Sequence, residues 1–378
     1  MTPVVPSRAD VAIVGGGVIG LASAWRLAQR GASVVVVDPS PGSGASGVAA
    51  GMLAPVSEAR LGEEPLLRLN LASWAQWPDF AAEVEAAGGR PIGYRADGTL
   101  MVALDADDRT VLDDLATRHR AMGLVVEPLR GREARALEPG LAPGTRAGLL
   151  AADERSVDPA ALVGALGAAA EAAGVVMVSA TVERVATAPT GDRVAGLVCR
   201  AGGQELATPP AQVIEADHVV LAAGCWSAAV GGLPDHARPP VRPIKGQILT
   251  LRQPPGDPLV SRTLRGIVRG SSIYVVPRDD GRVVVGATVE ERGWDTTATA
   301  GGAYELLRDA LALVPGLDDA ELAAVRAGLR PGSPDGLPMV GPSALTGLVV
   351  ATGHHRNGIL LTPVTADAVA AAVTGEPV

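Results

Sequence analysis

Aromatic side chains are scarce in this chain: one Phe, three Tyr and five Trp among 378 residues. The core therefore has to be built from Ala, Val and Leu, and any buried aromatic is conspicuous for its size. Lysine is nearly absent too, because the basic set contains a single one, Lys245, and is otherwise arginine. That bias means that an arginine at any one position carries little information by itself. A net charge of −9 excludes the basic footprint that a nucleic-acid partner requires. Two cysteines, Cys199 and Cys225, are too few for a disulfide framework or a metal knuckle. They read as small buried hydrophobes, and no metal site is expected. Residues 1–10 hold Pro3 and Pro6 but no basic cluster, and the apolar run that follows is broken at once by glycine. Neither a signal peptide nor a membrane span is expected, and a cytoplasmic location is the default.

What is present is a globular composition, 47% hydrophobic and 19% charged, with a length suited to two domains or to one domain carrying an insertion. Residues 11–14 form a short apolar run that reads as a buried parallel strand. A glycine-rich turn, a helix over 21–30 closed by Gly31, and a second buried strand over 33–37 follow. Helical periodicity returns over 63–87 and 105–122, with a strand between them over 95–104. Asp158 followed by Pro159 looks like an N-cap and N1 pair opening an Ala-rich helix to Ala173. Strands are expected over 175–178 and 181–185, and over 217–224, running into Gly224. Residues 241–289 alternate like antiparallel strands, with Asp280-Gly281 as a hairpin turn. A helix over 302–313, a strand over 347–351 and a helix over 365–373 close the chain.

α/β segments at both ends and in the middle, with antiparallel β between them, predict an α/β fold. Its parts are a doubly wound, Rossmann-like domain made of discontinuous pieces and an inserted α+β domain on an antiparallel sheet. The expected boundaries are 1–87, 151–236 and 326–378 for the first, and 88–150 and 237–325 for the second.

The glycine turn is Gly15-x-Gly17-x-x-Gly20, and Asp38 ends the next strand at about the offset that a dinucleotide fingerprint requires. Gly15 permits the tight turn, Gly17 lets a pyrophosphate approach the backbone, and Gly20 lets helix and strand pack closely. Val18 and Ile19 open the helix, whose free N–H groups and positive end suit phosphate. Asp38 can accept from a ribose and would repel the extra phosphate of NADP. FAD and NAD share the same ADP half, so the fingerprint leaves both open.

Nine segments in order resemble the D-amino acid oxidase-like family of FAD enzymes, and its glycine oxidase branch in particular. Besides the fingerprint these are SGVAAGMLA at 46–54, LAAGCWS at 221–227, RPIKGQ at 242–247, YVVPR at 274–278, VGAT at 285–288, AGLRP at 327–331, DGLP at 335–338 and GHHRNGILL at 353–361. The resemblance spans nearly the whole chain and implies an FAD-binding first domain and a substrate-binding second domain. It implies that FAD meets Ala45, Ser46, Ala50, Gly51 and Met52 in a second loop, Val182, Gly224 and Trp226 beyond it, and the run His354, His355, Arg356, Asn357, Gly358, Ile359 and Leu360 near the end. His354 and His355 are expected to meet the ring system through their backbone and not to act as bases. Arg330 is expected to clamp the substrate carboxylate, since a guanidinium fork pairs bidentately with one. Tyr274 would bring a hydroxyl to the substrate, and Arg356 would be a second carboxylate partner or a flavin contact.

The implied activity is oxidative deamination of a small amino acid, glycine first, to its imine and glyoxylate, with O2 reduced to H2O2. It would serve thiazole synthesis for thiamine, in a homo-oligomer as is usual in the family. A D-amino acid oxidase, or an oxidase or dehydrogenase of secondary amines such as sarcosine or proline, shares the same fold and clamp. The sarcosine oxidase branch attaches FAD through a cysteine near the C-terminal end, and no Cys follows Cys225 here. FAD is therefore expected to be non-covalent. Acid precipitation should leave the flavin absorption in the supernatant, and a yellow pellet would overturn that expectation.

Overall fold

Four consecutive valines at 34–37 call for a strand covered on both faces. In the computed structural model, which describes residues 6–201, 211–253, 258–268 and 270–376, β1 (Arg8–Val14), α1 (Val18–Gln29) and β2 (Val34–Val37) form a βαβ unit. β1 and β2 pair in parallel, Val11 opposite Val34 through Val14 opposite Val37, and all four β2 residues are buried. The parallel sheet continues with Val176–Val178 beside β2 and with Gln212–Leu221 and Leu348–Thr352 beyond β1. The expectation of no leader falls partly on residues 1–5, which lie outside the described residues.

The two faces of this sheet are covered differently. Val11, Ile13, Val34 and Val36 point into a core shared with α1 and with the helices Glu64–Gly88, Pro159–Ala172 and Thr362–Thr374. Ala12, Val14, Val35 and Val37 point the other way, into a core closed by the antiparallel strands Ala180–Thr187 and Val194–Ala201. This alternation is the period of two that a strand imposes. The Gln212–Leu221 strand joins both systems: its first half pairs with Val194–Ala201 antiparallel and its second half with β1 in parallel. The Pro159–Ala172 helix starts as expected, Asp158 accepting from the N–H groups of Ala160 at 2.9 Å and Ala161 at 3.3 Å.

A second eight-stranded sheet runs in the order Glu321–Gly332, Arg242–Arg252, Arg282–Gly286, Ser271–Pro277, Thr263–Val268, Thr99–Ala103, Ala147–Ala151, Glu127–Arg130. Most pairs are antiparallel, but Thr263–Val268 lies parallel to Thr99–Ala103. Its back face is an aliphatic core of Leu249, Leu251, Val275, Val283 and Val285 under the helix Ala300–Leu313. Glu321–Gly332 pairs with Arg242–Arg252 along its whole length. The boundary expected at residue 326 falls inside this strand, which sequence reasoning did not recognise. Two glycines, a proline and alternation between Ala and Arg hide it, since none of these is a strand former. The strand expected over 95–104 is shorter, Thr99–Ala103, with Arg95 bridging singly to Ser156.

Both cysteines are free and buried, and burial pushes their thiols up to about 11 for Cys199 and about 12 for Cys225. No described helix is long and apolar enough to cross a membrane. His119 lies on the buried stripe of the helix Ala106–Ala121 with Leu112 and Ala116, and neither ring nitrogen has a hydrogen-bond partner. Burial lowers its pKa to about 4. Between that value and the ordinary 6.5, the unfolded chain takes up a proton that the folded chain refuses, so acid destabilises the fold in this window. Going from pH 7.5 to 5 should cost about 2 kcal/mol through this group. His119→Leu should remove that component and raise stability at both pH values, as read by urea unfolding.

Candidate active site

A cavity of about 760 Å³ runs from the end of β1 to the front face of the second sheet. At its first end, Gly15 has a φ of +106°, and Gly20 packs so tightly that a Cβ there would lie 1.9 Å from the Gly15 carbonyl oxygen. Both positions need glycine, and together they aim the start of α1 at the cavity. Gly17 at the N-cap brings no side-chain cap, and no acidic residue occupies the first turn. The helix therefore offers a positive end to the cavity, as phosphate binding requires. Ser46 Oγ accepts from the Val18 N–H at 3.2 Å. Asp38 accepts from the N–H groups of Gly16 and Ser40, both at 2.7 Å, and lines the cavity with Gly15, Gly17, Val18, Ile19 and Val182.

Ala45, Ser46, Ala50, Gly51 and Met52 form the middle wall. This loop is gripped from the second sheet by Arg278, whose buried guanidinium donates to the Ala50 carbonyl at 2.5 Å. Burial lowers the Arg278 pKa to about 10, against the pull of Asp158. Ala50 also packs on Ile248, Val276 and Val284, which point forward from the same sheet. Gly224 and Trp226 line the opposite wall, and the Trp226 ring packs at a 36° tilt against Trp294 with centroids 5.7 Å apart.

At the far end stand Arg330 and Tyr274. Register explains why they meet. Arg330 lies opposite Ile244, Ile248 opposite Gly286, and Gly286 opposite Tyr274, so all of these side chains share the forward face. Between them the sheet is bare: a Cβ on Gly246 would lie 2.2 Å from Arg330 Nη1, and one on Gly286 would lie 2.3 Å from Tyr274 Oη. Arg330 Nη1 donates to the Thr288 carbonyl at 3.2 Å and to the Lys245 carbonyl at 3.5 Å. Among the described residues no carboxylate lies within ion-pair distance of Arg330. Burial raises the Tyr274 pKa, so its hydroxyl keeps its proton. Thr288 is held in turn by a loop anchored behind the sheet, where Lys245, 1% exposed, meets Asp295 at 2.6 Å and Gln247 Nε2 meets Thr299 Oγ1 at 3.1 Å.

Arg356 also lines the cavity, but it is ion-paired to Glu63 and lies 4.0 Å from Glu58. His355 has a φ of +48° and lies near Arg330, Arg356 and Arg60; burial first, then these charges, lower its pKa to about 4. His354 is turned from the cavity centre, with Nε2 3.0 Å from Thr365 Oγ1, and burial alone lowers its pKa to about 4. Both imidazoles are neutral at pH 7. Gly358 and Ile359 line the cavity, whereas Gly20, Asn357 and Leu360 do not. Leu360 faces the helical core, its carbonyl accepting from Ser73 Oγ at 2.7 Å and Trp77 Nε1 at 2.8 Å. Asn357 is buried, and its Nδ2 lacks a partner.

Sequence reasoning missed Glu58, Glu63, Gly246 and Arg278 as parts of this site. Gly246 and Arg278 sit inside segments that carried the family resemblance. The two glutamates sit in a stretch with no pattern to single them out.

The whole arrangement suits FAD: a helix end without an acidic residue for phosphate, an elongated gap between two sheets, an orphaned amide beside the last wall, and an uncompensated guanidinium beyond it. A family model described as FAD dependent oxidoreductase, DAO, matches residues 10–372. The bifunctional protein ThiO/ThiG of Trichormus variabilis is 33% identical over 96% of this chain, which spans only 52% of that protein's length. The glycine oxidase of Geobacillus kaustophilus is 35% identical, with a TM-score of 0.86 and coverage of 98% of this chain and 96% of that one. The iminodiacetate oxidase IdaA of Chelativorans sp. BNC1 is 28% identical, with a TM-score of 0.82 and coverage of 97% and 96%.

An uncompensated guanidinium beside a bare glycine has the chemistry to take an anion and no room to spare. Gly246→Ala should displace Arg330 and weaken binding of acetate by about tenfold, the loss of one charge-assisted hydrogen bond. Calorimetric titration of the purified variant and parent with acetate measures this.

Proposed function

The chain belongs to the FAD-dependent oxidoreductase family of the D-amino acid oxidase type, and from that premise we propose that it oxidises the C–N bond of a small amino acid, with glycine as the leading substrate. The observation that carries the reading is Arg330: one guanidinium without an acidic partner among the described residues, facing a cavity beside a protonated Tyr274. The chain spans about half the length of the first curated relatives it matches.

The chemistry FAD supplies when bound is removal of a hydride equivalent from a carbon bearing nitrogen, and its delivery to dioxygen as hydrogen peroxide. Val18, Ser46 and the turn 15–17 would hold its phosphates, and residues 45–52 and 354–359 its ring system. The helix Thr362–Thr374 has no acidic residue in its first turn, so its positive end would favour negative charge on the ring.

The protein's own share is positioning. Arg330 takes the substrate carboxylate, and Tyr274 donates its hydroxyl to the same group. The amine must be neutral to release hydride from its carbon. Arg330, which has no counter-ion among the described residues, disfavours an ammonium beside it and so would lower the substrate's amine pKa. No side chain is needed as base: His354 is committed to Thr365, and His355 has its basicity suppressed by burial and neighbouring charge. The imine so formed would hydrolyse to glyoxylate or pass to thiazole synthesis. A cytoplasmic homo-oligomer with FAD held non-covalently completes the proposal, with the second sheet, including the Arg330 strand, as its substrate-binding domain.

Glycine, sarcosine, D-alanine and D-proline should be compared in an oxygen electrode with the purified yellow protein. Glycine should give the highest kcat/KM, with peroxide formed in step with oxygen consumed. Arg330→Ala should raise KM about tenfold to a hundredfold while retaining flavin, the scale of one or two charge-assisted hydrogen bonds. Parent-like KM values in this variant would end the clamp assignment.

A further inference from the structure

The cavity holds two guanidinium groups of different standing. Arg330 meets only backbone carbonyls, whereas Arg356 carries its counter-ion with it. The Arg356 fork donates through Nη2 to Glu63, while its buried Nε has no hydrogen-bond partner and faces Glu58 at 4.0 Å. Glu58 is not free to replace Glu63, because it is bonded to Arg265 at 2.8 Å. Glu63 comes from the turn just before the helix Glu64–Gly88, and its side chain is one-third exposed, outside the packed core. Of the two carboxylates near Arg356 it is the one in hydrogen-bond contact, and besides Arg356 the charge of the neighbouring Arg60 bears on it.

We propose that Glu63 is a specificity-determining residue: by pairing with Arg356, it limits the cavity to substrates with a single carboxylate and rejects dicarboxylic amines. The proposal rests on the reading that Arg330 binds a carboxylate. A second carboxylate approaching Arg356 meets a guanidinium already neutralised, and it must either displace Glu63 or lie beside its negative charge. Discrimination of this kind comes from repulsion of the wrong ligand more than from attraction of the right one. With Glu63 uncharged, the fork of Arg356 is released to the cavity, where its stranded Nε finds an acceptor as well.

Two ether carboxylates test this without turnover, since neither has a C–N bond: methoxyacetate with one carboxylate and diglycolate with two. Their dissociation constants are read from perturbation of the bound flavin's absorption in the holoenzyme. In the parent, diglycolate should bind no more tightly than methoxyacetate. In Glu63→Gln, diglycolate should tighten about tenfold relative to methoxyacetate, the value of one charge-assisted hydrogen bond. Glu63→Asp should keep the parent ratio. Adding Arg356→Gln to Glu63→Gln should abolish the gain. Glu63→Ala serves in its place should the glutamine variant yield no soluble protein. An unchanged ratio in Glu63→Gln, or a gain that survives loss of Arg356, overturns the proposal and leaves the Arg330 reading intact. Failure of both ligands to bind the parent, together with glycine oxidation that neither inhibits, overturns both.

Discussion

One uncompensated positive charge organises the far half of this molecule. Arg330 points into a cavity with no described carboxylate within ion-pair distance, and a half-buried cation there needs backbone dipoles or a ligand to replace the water it has lost. The carbonyls of Thr288 and Lys245 take that part in the protein itself. Their positions depend on the loop behind the sheet, where the chain's single lysine is buried against Asp295 and Gln247 reaches Thr299. Gly246 leaves the space in front. An ion pair on one face of the sheet thus supports an unpaired ion on the other.

The charges around Arg330 form a graded set. Arg265 and Arg356 have glutamate partners, and Arg278 is spent on the backbone of the cofactor-side loop. Of the two described arginines that line the cavity, Arg330 is the one without a carboxylate partner. In a chain so rich in arginine, the presence of a guanidinium says little, and its pairing decides what it does. The same logic reads the histidines: adjacent in sequence, both deprived of charge by burial, one is tied to a helix and the other is set among cations.

The two sheets are joined mechanically as well as by the cavity. Arg278 reaches across to the Ala50 carbonyl, and Ala50 packs on Ile248, Val276 and Val284. Residues 45–52 therefore belong to both halves: they line the cavity and rest on the second sheet. Their mostly small side chains let the two sheets approach closely across the cavity.

The fingerprint of β1, α1 and β2, the cap at Asp158 and the turn at Asp280-Gly281 were legible in the sequence, because each is a local device whose chemistry is complete within a few residues. The strand carrying Arg330 was not, since its glycines and proline argue against a strand and only its partner Arg242–Arg252 makes it one. Sequence by itself determined the dinucleotide turn, the layered α/β architecture and the absence of a cysteine for covalent attachment. Tertiary structure alone decided that Arg330 stays unpaired while Arg356 meets Glu63, 293 residues away. Pairing of charges depends on distance in space, and no spacing along the chain encodes it.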